Sequence, residues 1–133
     1  MESPRATRLT DGDRWKGPEM DPNAHSERLT YRRQAEMLRA MAHPARLQLL
    51  TMLMDGPLCV YQLVEQTGYR QPYISQQLAV LRRAGLVVGR RAGMAVWYQL
   101  VCAEMGGFLA AVHRACLQQI AAAKAAQHTP RMF

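Results

Sequence analysis

The chain has 133 residues, 49% of them apolar, a formal charge of +7 and a pI near 9.9. That length predicts one domain with tails, and the basic balance favours an anionic partner, nucleic acid or a membrane surface. No stretch approaches the roughly 18 apolar residues of a membrane span and no signal peptide opens the chain, so a cytoplasmic protein is expected, with no membrane partner and its thiols reduced.

Residues 1–24 carry Pro4, Gly12, Gly17, Pro18 and Pro22 among scattered charges without a period, and read as a flexible arm. A domain is expected over 25–127, with 128–133 as a tail. A first helix should begin near Ser26, with a stripe of Tyr31, Ala35, Leu38 and Met41 or Ala42. Pro44 should start a second helix that buries Leu47, Leu50, Leu53 and Met54 and stops at Asp55-Gly56-Pro57. A short third helix from about Val60 to Thr67 places Leu63 and Val64 inward, and Gly68 closes it.

Residues 70–86 carry the next helix. Ile74, Leu78 and Leu81 recur at i, i+4 and i+7 as one apolar stripe. Pro72 suits the first helical position, Gln71 the N-cap and Gly85 the C-terminal stop. On the far side stand Pro72, Gln76, Ala79 and Arg83, with Ser75, Gln77 and Arg82 beside them. The period then changes from helical to alternating. Leu86–Arg90 and Ala95–Leu100 are β-rich runs, and Arg91-Ala92-Gly93-Met94 turns between them, giving a two-stranded hairpin with arginines at its tip. Residues 102–126 form a last helix whose stripe is Met105, Phe108 or Leu109, Val112, Cys116 and Ile120. That stripe is expected to meet a second copy, pairing with the first helix in a two-fold homodimer; folding back on its own core is the alternative.

Charge is unevenly placed. Residues 66–103 hold five arginines and no Asp or Glu. A short helix with amide and hydroxyl side chains, flanking arginines and a positive N-terminal dipole is what a DNA major groove accepts. The other reading of that helix is an ordinary surface helix. Catalysis is not expected, because no phosphate loop, nucleophile elbow, paired catalytic acids or zinc-hydrolase motif is present.

The order of elements, mainly α with a small β-hairpin, is that of a winged helix-turn-helix. Three runs sharpen it. Leu38-Arg39-Ala40-Met41-Ala42-His43-Pro44-Ala45-Arg46-Leu47, the helix Ile74–Val87, and Arg90–Gly93 with Trp97-Tyr98-Gln99-Leu100 each resemble a signature of the ArsR/SmtB repressor family. Together they cover about residues 35–101. The resemblance implies a homodimeric repressor that binds a double-stranded DNA operator and leaves it on sensing a metal ion, metalloid or oxidised sulfur species. It implies DNA contacts at Arg70, Gln71, Tyr73, Ser75 and Gln76, with Arg83, Arg90 and Arg91 on phosphates or in the minor groove. Arg70 and Pro72 stand where the family has small polar residues, so the preferred sequence should differ from that of other members.

The three cysteines, Cys59, Cys102 and Cys116, are too few and too irregular for a disulfide framework. Cys59 lies in a run resembling the family's arsenic-sensing segment, but Tyr61 and Gln62 replace its second thiol and its acid. Cys102 falls near a family zinc ligand, and Cys116 near a persulfide-sensing cysteine. His113 and Cys116, three apart, share a helix face and are the chelating candidates. A soft metal or metalloid is therefore a candidate effector, none being needed for DNA binding, while three small hydrophobic thiols are the plain alternative.

Overall fold

A computed structural model of the chain describes residues 22–127. The elements run α1 (Pro22–Met41), α2 (Pro44–Met52), a 3-10 turn (Leu53–Asp55), β1 (Leu58–Cys59), α3 (Val60–Thr67), α4 (Gln71–Arg83), β2 (Val87–Ala92), β3 (Ala95–Leu100) and α5 (Glu104–Gln127). Most of the expected arm, 1–21, and the tail, 128–133, lie outside the described residues. Residues 22–24 are helical, so α1 starts four residues ahead of Ser26 and Glu27 is no longer in its first turn.

Within 22–34 the Thr30 hydroxyl donates to the Ser26 carbonyl at 3.1 Å. From Ala35 onward the chain builds the packed body. The expected stripe of α1 divides between core and solvent, and of its two alternatives Met41 is the one in the core. Leu38 and Ala42 are exposed, as is Tyr31, whereas Met37, Ala40 and Met41 pack on the core. Helical spacing puts the two sets on different faces of one helix, and both are apolar.

His43 caps α2. Its extended backbone (φ −154°, ψ 133°) and its Nδ1, which accepts from the Ala45 N–H at 3.2 Å, make it a structural cap ahead of Pro44. Leu49 and Leu50 are fully buried and Leu53 nearly so, while Leu47, expected inside, is only half-buried. Leu63, Ile74, Leu78, Leu81 and Leu86 complete the centre of the core.

The turn from α3 to α4 is tied at both ends. Gly68 closes α3 at φ +73°. The Thr67 hydroxyl donates to the Leu63 carbonyl at 2.6 Å and accepts the Tyr69 N–H at 3.2 Å. Arg70, not Gln71, is the N-cap of α4; Gln71 is its first helical residue and Pro72 its second. At the other end Gly85 (φ +76°) donates to the Arg82 carbonyl and Leu86 to the Leu81 carbonyl, both at 3.0 Å. This Schellman pair buries Leu86 and aims the chain into β2.

The sheet is three-stranded, in the order β1-β3-β2 and all antiparallel, where a two-stranded hairpin was expected. The added strand is only Leu58–Cys59, paired with Tyr98 and Trp97. It meets the need of a small hairpin for a further partner. Val87, Leu58, Tyr98 and Leu100 line the core side. Gly89 belongs to that side because a Cβ there would press on the Tyr98 ring and on Val96 at 3.2 Å.

Candidate nucleic-acid interface

Ile74, Leu78 and Leu81 have 0% exposure, and this fixes the rotation of α4 about its axis. The opposite side is then solvent-facing by necessity. Arg70, Gln71, Ser75, Gln76, Arg82 and Arg83 are all exposed there or beside it. The N-terminal turns bring Arg70, Gln71, Ser75 and Gln76 together. Arg83 stands at the far end, with its Nε donating to the Ala79 carbonyl at 3.3 Å. Tyr73 is half-buried rather than free. Its ring meets Tyr69 edge-on, with centroids 5.3 Å apart and planes at 69°. Such a pair adds about 0.5–1.5 kcal/mol beyond its buried area, so Tyr73 helps hold the start of α4 as well as edging the polar face.

The wing offers its arginines differently from the way the sequence suggested. Arg90 pairs with Trp97, and Arg91 with Val96. Adjacent strand residues point to opposite faces, so Arg90 and Arg91 leave the ribbon on opposite sides. Both are exposed. On the outer side Cys59, Trp97 and Arg90 lie in one row across the three strands. Pro57, Arg90, Ala92, Trp97 and Gln99 line an open groove there of about 450 Å³. Met94, seen in the sequence only as part of a turn, is fully exposed at the wing tip.

The thiols do not converge. Cys59 is half-buried at the start of α3, its N–H held by the Gln62 side-chain oxygen at 3.0 Å. Cys102 is exposed two residues before α5, its carbonyl accepting from the Met105 N–H at 3.1 Å. Cys116 and His113 are exposed on α5. Among the described residues no three His, Cys, Asp or Glu side chains are grouped to hold a metal. No described helix is long and apolar enough to cross a membrane.

A capped reading helix on a helical support, followed by a basic antiparallel wing, defines a winged helix-turn-helix protein. A family model described as "Bacterial regulatory protein, arsR family" matches residues 43–88. The chain is 52% identical over 66 residues to the HTH-type transcriptional regulator NmtR of Mycobacterium tuberculosis, covering 50% of this chain and 55% of that one. It thus spans about half the length of that relative. It is 38% identical over 79 residues to a biofilm growth-associated repressor of Xylella fastidiosa, covering 59% and 69% of the two chains. Among solved structures, reduced HlyU from Vibrio cholerae superposes with a TM-score of 0.62 at 36% identity, covering 68% of this chain and 95% of that one. The chain belongs to the arsR family of bacterial regulatory proteins, a non-enzymatic class.

Proposed function

We propose that the protein is a cytoplasmic transcriptional repressor that binds a double-stranded DNA operator as a homodimer. The observation that carries this is the solvent-facing, acid-free side of α4, ending in an acid-free wing. Arg70, Gln71, Tyr73, Ser75 and Gln76 meet the major groove, and Arg83, Arg90 and Arg91 hold the backbone. Two copies joined through α1 and α5 present two reading helices to half-sites roughly 34–36 Å apart. The domain doing this is 25–127.

Fluorescence anisotropy on promoter fragments tests it. Binding should fall steeply as salt rises, because phosphate contacts release counterions. Gln76→Ala should cost about 1.5 kcal/mol and relax the preference at one base position, while Arg91→Ala should weaken all sequences alike. Equal losses on every sequence for both variants would end that division of labour. A winged helix used only for protein contact would show no salt-steep DNA binding at all.

The effector reading that the geometry favours is thiol chemistry at Cys102 and Cys116. Cys102 is free and exposed, Cys116 is free and exposed on the single chain but lies on the α5 face assigned to the dimer contact, where its chemistry would act on the dimer itself, and Cys59 is half-buried. The relative HlyU was solved in a form described as reduced, which supports a redox reading of this chain's thiols. As(III), Cd(II), Zn(II) and an organic persulfide, titrated in turn into the protein–DNA complex, should include one that releases DNA from wild type. Cys102→Ser or Cys116→Ser should blunt that release, and Cys59→Ser should leave it. If all three variants respond like wild type, the sensor is elsewhere.

A further inference from the structure

Every large apolar side chain in the hairpin except Met94 is at least half-buried. Met94 occupies the two-residue turn Gly93–Met94 between β2 and β3, in a bend that Gly93 permits with φ +65°. Polar residues ordinarily fill such a turn. Here the most exposed large apolar side chain of the described residues, at 105% exposure, stands at the end of a basic projection with nothing among the described residues to cover it.

The ribbon behind it is charged on both sides. The last pair before the turn is Ala92 with Ala95, two methyl groups. Two paired strands lie about 4.8 Å apart axis to axis, which with their own backbone bulk is too broad for a minor groove roughly 6 Å wide, so only the tip at Gly93–Met94 enters while the strands stay at the rim. Behind the alanines Arg90 leaves one face of the ribbon and Arg91 the other. A tip entering a minor groove would thus carry one arginine toward each bordering phosphate strand. No Asp or Glu between residues 66 and 103 opposes that approach. Methionine is unbranched and polarisable, and is among the side chains that wedge between base steps.

From this juxtaposition we propose that Met94 is an intercalating wedge: the wing tip enters the minor groove beside each half-site and opens one base step, with Arg90 and Arg91 gripping the two phosphate strands. Pyrimidine–purine steps open most easily, so the wing reads sequence through deformability at a position that no polar side chain contacts. The proposal rests on the operator-binding reading above.

The test uses the full chain and a duplex selected by it from a random pool. Each adenine flanking the half-sites is replaced in turn by 2-aminopurine, whose fluorescence rises on unstacking, and the duplex ends carry a donor–acceptor pair to report bending. With wild type, one flanking step on each side should brighten severalfold and the duplex should bend. Met94→Leu, which keeps an apolar wedge, should preserve both signals. Met94→Ala should abolish the brightening, straighten the DNA and weaken binding roughly tenfold. That loss should shrink when the step is rebuilt as a stiff A-tract. No brightening with wild type, or full brightening with Met94→Ala, overturns the wedge while leaving operator binding intact. A pool from which no duplex is enriched overturns the operator reading, and the wedge with it.

Discussion

Val112→Glu is expected to leave the fold intact, convert the homodimer to monomers and weaken operator binding by at least about a hundredfold. The reason lies in how little of α5 its own core uses. Of its 24 residues, Leu109 is buried and Met105 packs against the core. Gly106 in this first stretch lies over Met54, where an added Cβ would sit 3.7 Å from the Met54 methyl, an ordinary van der Waals contact. From residue 111 to residue 127 every position is exposed. At 1.5 Å per residue that is about 25 Å of helix running past its support.

That overhang is not polar. Phe108, Val112, Leu117 and Ile120 are 43–52% exposed, and Cys116 lies among them. An apolar surface of this length, continuous with the stripe that Met105 and Leu109 start, fits the dimer contact proposed above. Leu38 of α1, exposed at 49%, offers a second apolar surface on the packed body. A two-fold axis makes each copy supply the same patch, so one carboxylate at Val112 is placed in the interface twice. Burying two unpaired charges costs several kcal/mol. A monomer then reads one half-site without the gain of the second. Sedimentation and anisotropy on the same sample give the two readouts. Gln118→Glu, on the far side of the helix, is the control and should behave as wild type. A Val112→Glu protein that stays dimeric would place the interface elsewhere.

Where sequence and structure part company, the causes can be named. α4 was legible because Ile74, Leu78 and Leu81 repeat strictly and Gly85 supplies the one residue type that the Schellman stop wants. The stripe of α1 was legible but its direction was not, because that helix has two apolar faces, and periodicity finds a face without saying which way it points. Tyr31, Leu38 and Ala42 are one face; Met37, Ala40 and Met41 are the one buried. Across α2 and the 3-10 turn, four leucines within seven positions left Leu47 and Leu49 as rivals, and the packing chose Leu49. β1 is two residues long and exists only because β3 offers it an edge, a non-local fact no local pattern carries. At the interface, residue chemistry was readable but side-chain placement was not. The hold of Tyr69 on Tyr73 and the opposite faces of Arg90 and Arg91 both come from tertiary register.

Gln71→Glu should stabilise the protein and disable it. Gln71 is the first residue of α4, where unsatisfied N–H groups and the helix dipole favour a negative side chain by about 0.3–1 kcal/mol. The exchange is nearly isosteric, the side chain is exposed, and Pro72 keeps the turn in place. A small rise in the denaturation midpoint is therefore expected. On DNA the sign reverses. The carboxylate would enter a groove lined by phosphates, beside Arg70, in a region that otherwise carries no acid from residue 66 to residue 103. Like-charge juxtaposition in an interface costs several kcal/mol, so affinity should drop at least about a hundredfold. Neither α2, α3 nor α4 has an acid in its first turn. A chain selected for stability alone would have used one at some of these positions. Leaving α4 without it keeps the positive helix end available to an anion. Chemical denaturation and anisotropy on one preparation decide the matter. A variant that gains stability and still binds DNA as wild type would show that the start of α4 does not face the groove.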